Sequence, residues 1–257
     1  MKKILALALL TFLSFSCSED NGNNSNEDVS ATFSFSHNWD GAEVNNTEFN
    51  TIQFTNANGE QMSIEKLRYL ISNIRLEKAD GETLYTSGHF LVDVTNDVNL
   101  VFQPYTAIPK GDYTNVIFTF GFNTEDNYSQ TYTDLNAASW NVPDMLGGGY
   151  HYMQLEGKFI DNTDTETGYA YHAIRAVDNS DPIGLLFQDT FIDVELGPVS
   201  ISKDLTFNID MNIAEWFKNP NLWDLNTLHN MMMPNFNAQI TMFQNGQNVF
   251  SLNEITE

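Results

Sequence analysis

The run Gly147-Gly-Gly-Tyr-His-Tyr-Met-Gln-Leu-Glu-Gly157 decides how the rest of the chain is read. Three consecutive glycines permit backbone angles that other residues resist. They release into residues 150–156, which alternate as a strand does. That alternation puts His151 on one face with Met153 and Leu155, pointing inward. A lone inward histidine is most simply a core residue held by one hydrogen bond. Tyr169-Ala-Tyr-His172 follows on the next strand-like run. Two histidines on neighbouring strands can converge on one point, and imidazole suits copper and zinc. A metal site therefore stands beside the core reading from the outset.

Outward from this run the chain keeps a β pattern. In Ala31-Thr-Phe-Ser-Phe-Ser-His37, the residues Phe33, Phe35 and His37 share a face, and Asn38-Trp39-Asp40-Gly41 turns the chain. Residues 51–55 and then 62–76 read as strands, and the slip in alternation after Ile71 predicts a bulge. Asp80-Gly81 is a hairpin signal. In His89-Phe-Leu-Val-Asp93, His89, Leu91 and Asp93 share one face. Residues 113–122 form another strand and 126–140 a polar excursion. Residues 187–196 and 202–211 read as a hairpin around Gly197-Pro198. Short helices are expected at 212–218, stopped by Pro220, and at 224–233, with 237–250 closing the domain. The predicted fold class is all-β: a single-domain sandwich or barrel-like domain with one or two short helices near the C-terminus.

The first residues belong to targeting rather than fold. Met1-Lys2-Lys3 followed by an apolar stretch reads as a secretory signal over 1–16, too short to span a bilayer comfortably. Cys17, the only cysteine, directly follows. The arrangement resembles a lipoprotein lipobox, although Leu13 stands four residues before the cysteine rather than three. Residues 17–30 then read as an acylated cysteine and a disordered tether, rich in Asn, Ser, Asp and Glu. Glu19 and Asp20 resemble the surface-export signal of Bacteroidetes-type lipoproteins. The expected location is the outer membrane through an N-terminal lipid, at the cell surface, with the periplasmic face as the alternative. The domain proper is expected over 31–257, and with its one cysteine acylated it has no disulfide to lean on.

Charge narrows the partners. Eleven Lys+Arg against 34 Asp+Glu give a formal net charge of −23. Such a surface repels nucleic acid and favours cations. With so many acids, two neighbouring carboxylates identify nothing, and no GxSxG, HExxH or P-loop is present. No enzyme activity is expected. The acidic run Asp161-Asn-Thr-Asp-Thr-Glu166 lacks the spacing and glycine of an EF-hand.

Several phrases together resemble the MbnP-like copper-binding family. They are Leu67-Arg-Tyr-Leu-Ile-Ser-Asn-Ile-Arg-Leu76 with Asp80-Gly81; His89-Phe-Leu-Val-Asp93; the 147–157 run; Tyr171-His172; and His229-Asn-Met-Met-Met233 with Asn245-Gly246 and Val249-Phe250. The resemblance implies a β protein that handles copper, holding copper(I) through histidines together with kynurenine, an oxidised tryptophan. It points to His37 and His89 as copper ligands and to Trp39 as the nearest kynurenine-type partner. It also marks His151 and His172 for the same site, a second site or a supporting role. His229 with Met231, Met232 and Met233 offers soft ligands for copper(I), against which stands the simpler reading of a buried helix face. Asp93 or Asp40 would orient the rings. The alternative to copper capture or storage is a surface interaction or scaffold module whose histidines are structural.

Overall fold

The computed structural model describes residues 28–86, 88–180 and 184–257. The signal segment, Cys17 and nearly all of the tether lie outside the described residues. Sheet pairing reaches back to Val29, which bridges to Ile108, and Ser30 N–H donates to Asp204 Oδ1.

The fold is all-β, with two main sheets packed face to face. The smaller is built on Ala31–Trp39, whose alternating Phe33, Phe35, His37 and Trp39 are all buried. It runs parallel to Leu205–Asn212, with His37 beside Met211, and Leu205–Asn212 pairs in turn with Phe250–Thr256. The larger sheet is organised around Lys66–Glu77, flanked by Met153–Ile160, Gly111–Phe120 and His89–Asp93. Beyond these lie Glu166–Ala173 and Ile192–Ile201. An aromatic layer joins the sheets: the Phe35 ring lies 5.7 Å from Phe90 and from Phe118 and 6.1 Å from Tyr69. Such ring pairs add about 0.5–1.5 kcal/mol each beyond the area they bury.

The predicted bulge is present. Register shifts between Ser72 and Arg75, where Asn73 takes a positive φ of 48°. The Asp80-Gly81 hairpin also forms, pairing Glu77 with Thr83.

Three expectations are corrected. Gly197-Pro198 does not turn a hairpin. The strand Ile192–Ile201 runs straight through it at the edge of the larger sheet, with a register irregularity there. An edge strand with a bulge is where proline's missing donor is tolerated. Residues 51–55 contribute only Phe54–Thr55 as strand. Residues 224–233 are not a helix: Thr227 and Leu228 both donate to Asp224 O, a single turn, while Asn226 Nδ2 turns aside to Glu60 Oε1. The longest helix among the described residues is instead Phe236–Gly246, N-capped by Asn235, whose side chain accepts from Ala238 N–H. The expected turn at Ile213–Phe217 is present as 3₁₀ helix.

Candidate metal centre

The triple glycine shapes the site. Residues 140–151 fold back on themselves: Val142 N–H donates to Gly149 O and His151 N–H to Trp140 O. The glycines close this loop with φ of 88°, 67° and 81°. A Cβ on Gly149 would lie 2.5 Å from Asn127 Oδ1, and that oxygen accepts from Tyr150 N–H. The fold-back sets Trp140 and His151 side by side, ring centroids 5.6 Å apart.

The regular strand starts only at Met153. The alternation expected across 150–156 therefore does not carry back to His151, and its ring does not share the inward face of Met153 and Leu155. It packs instead against His172, centroids 5.3 Å apart and edge to face. His172 is in register with Gln154, and Gln154 with Arg68, so these three share the opposite face of the sheet. The two histidines do converge, by a route that alternation alone does not give.

The chemistry of His151 is set by its partners. Its Nδ1 lies 2.9 Å from Trp140 O, which can only accept, so Nδ1 carries the proton. Nε2 is then a bare lone pair, and it is buried without a hydrogen-bond partner in a residue only 5% exposed. Burial above all, with His172 and Arg68 adding, holds this imidazole down at about 4, so it is neutral at physiological pH. His172 Nε2 lies 2.9 Å from Glu156 Oε1, and Glu156 is also bonded by Lys66 Nζ at 2.8 Å. The bond from His172, then those from Lys66, bring the Glu156 carboxyl down to about 2. With Nε2 held by a carboxylate, Nδ1 is the His172 nitrogen left for a metal, an arrangement common in metal sites. Arg68 lies over the buried Trp140 ring at 5.0 Å and donates to Gln154 Oε1.

The MbnP family model matches residues 28–234. The chain belongs to the MbnP family. Among solved structures it is similar to MbnP from Methylosinus trichosporium, at 11% sequence identity and a TM-score of 0.47, covering 75% of this chain and 78% of that one. No match is found among curated proteins.

In this MbnP-family chain the remaining histidines stand apart from the pair. His37, 4% exposed, bonds Tyr69 OH at 2.9 Å on the inner face, and burial holds its imidazole down at about 4. His89 is in register with Ser72, three residues further along the strand that carries Tyr69, and therefore on the opposite face. It bonds Asp134 Oδ2 at 2.9 Å and packs edge to face against both Phe122 and Tyr132. His37 and His89 line separate recesses with no residue in common. Along Lys66–Glu77, His89 is four residues from the Arg68–Gln154–His172 row, about 13 Å. Trp39 packs on Phe54 and Phe217 and donates Nε1–H to Thr55 O. The tryptophan beside the histidine pair is Trp140. His229 Nδ1 bonds Leu225 O, and its ring lies on Phe159.

The carboxylates expected to orient the rings are engaged elsewhere. Asp93 caps its own turn through Asn96, and Asp40 bonds Lys218 and Asn212. Glu156 and Asp134 orient histidines instead. Glu156 belongs to the 147–157 run, but its meeting with His172 depends on strand register, which one strand's sequence does not reveal. Asp161, in the acidic run, is bonded by Thr163, Thr165 and Thr167, as a turn requires. Among the described residues, no group of three or more His, Cys, Asp or Glu is placed to hold a metal.

Proposed function

We propose that this chain binds copper(I) between His151 and His172 and serves in copper capture or storage, without catalysis, held at the outer membrane by a lipid on Cys17. The observation that carries the reading is the bare, buried Nε2 of His151 beside a second imidazole. A buried acceptor with no partner costs about 1–3 kcal/mol, and coordination would recover that cost. Imidazole ligands suit copper. The surrounding charges favour a monovalent ion: Arg68 and Lys66 outweigh Glu156, so a divalent cation would meet more repulsion. Copper supplies the ligand-exchange chemistry when bound. The chain's own part is to keep His151 deprotonated at Nε2 through Trp140 O and to orient His172 through Glu156. Trp140, rather than Trp39, is the tryptophan placed for a kynurenine-type role.

The scaffold reading accounts for His37, His89 and His229, each of which has a hydrogen-bond partner. It leaves the orphan nitrogen of His151 without explanation. Metal analysis of protein purified without chelator tests the proposal, with intact mass to detect oxidised tryptophan. Copper is expected in the wild type. Metal-free protein that takes up no copper(I) under reducing conditions would favour the scaffold reading.

A further inference from the structure

A cavity of about 470 Å³ lies against His172, lined among others by Met145, Met231, Met232, Met233, Ala170 and Asn179. Its methionines come from two separate stretches, the tip of the 140–151 fold-back and the segment after His229. Two bonds fix that second segment. Ala170 N–H donates to His229 O, and the buried Gln239 Nε2 donates to both His172 O and Met232 O. The burial reading holds for Met232, which is 2% exposed. It fails for Met231, which is 75% exposed, and Met145 on the other stretch is 78% exposed. Met231 also takes a positive φ of 53°. A bulky residue in that region is strained, and strain of this kind gathers where structure serves function. Leucine would fill an apolar wall as well. What methionine adds is a flexible thioether, a soft ligand that selects copper(I).

Resting on the reading that His151 and His172 hold copper(I), we propose that Met145, Met231 and Met233 form a thioether vestibule that accepts a soft monovalent cation and passes it to His172. The step is ligand exchange alone: a thioether–metal bond breaks as an imidazole–metal bond forms, with no change of oxidation state. His172 belongs to both places, since it lines the cavity and packs on His151. Met145 sits on one loop and Met231 and Met233 on another, so the donors can close around an ion and release it without moving the sheet.

The test is silver(I), a redox-inert stand-in for copper(I), titrated into the whole protein carrying ¹³C-methyl methionine and observed by NMR. The methyl signals of Met145, Met231 and Met233 are expected to shift in the wild type and still to shift in His151→Ala. A Met145→Leu/Met231→Leu/Met233→Leu variant keeps volume and apolarity. It should retain equilibrium copper(I) binding at the pair but load it more slowly. Imidazole signals that move while all three methyls stay fixed would overturn the vestibule and leave the histidine pair standing. Methyls and imidazoles that both stay fixed would overturn the vestibule and the copper reading together. Loading by the triple variant at the wild-type rate would also overturn the vestibule. Its unchanged melting temperature would show that the variant is folded.

Discussion

His151 and His172 meet edge to face with ring centroids 5.3 Å apart, one presented by a glycine-closed fold-back and the other by a regular strand. Only His172 owes its place to sheet register. His151 is placed by Trp140 O, which accepts from both its backbone N–H and its Nδ1. Perturbing the fold-back should therefore disturb one histidine and spare the other.

Gly149→Ala makes that perturbation. It forces a side chain into a positive φ and against Asn127. Strain of this kind costs roughly 1–3 kcal/mol. Urea denaturation should show a loss in that range, and copper(I) affinity should fall with it. Unchanged stability and binding would mean that the loop does not position His151.

Gln239 joins three backbone groups: it accepts from Ile174 N–H and donates to His172 O and Met232 O. Gln239→Leu would leave these groups buried and unpaired, at roughly 1–3 kcal/mol for each that water does not reach. A stability loss of at least about 2 kcal/mol is expected by denaturant unfolding. A loss below about 0.5 kcal/mol would contradict the clamp.

The metal-free protein should weaken as pH falls from about 6.5 to about 4. His37 and His151 are held at about 4 in the fold, so over this window the unfolded chain binds more protons. The groups facing them are Tyr69 for His37, and His172, Arg68 and Glu156 for His151. Each buried histidine contributes a loss of roughly 3 kcal/mol across the whole window. Glu156 has the opposite character: its stabilisation is present above the unfolded value and is lost only as pH falls toward about 2. Urea unfolding at pH 7 and pH 5 checks the sign. His37→Gln should show a smaller pH dependence than wild type, and equal stability at the two pH values in wild type would refute the account.

Much of the fold is legible in the sequence because its strands alternate. Phe33, Phe35 and His37 are buried together as their spacing requires, the strand runs on through Trp39 where a turn is expected, and the break after Ile71 is a bulge. The Gly197-Pro198 pair misleads because the same residues that turn a hairpin also suit a bulged edge strand. The site is less legible. His151 stands just before regular strand begins, so period-two reasoning assigns it the wrong face. Its pairing with Trp140 is short-range in sequence, and the Trp140…Gly147-Gly148-Gly149…His151 fold-back is a signal that could have found it. Glu156 with His172, and Gln239 with Met232, depend on register and on a helix docking from elsewhere, which no local pattern encodes.

Anchoring is tested separately from chemistry. Cys17→Ala should move the protein from the membrane fraction to the soluble fraction. Unchanged fractionation would contradict the lipid anchor and leave the histidine site unaffected.

The most direct measurement is copper(I) stoichiometry by competition with a coloured chelator under reducing conditions, read beside melting temperature on the same samples. Wild type should hold one copper(I) per chain. His151→Ala and His172→Ala should each lose it while remaining folded, and His37→Ala and His89→Ala should retain it even where their melting temperatures fall. Loss of copper(I) in His37→Ala or His89→Ala with full retention in His151→Ala and His172→Ala would contradict the account.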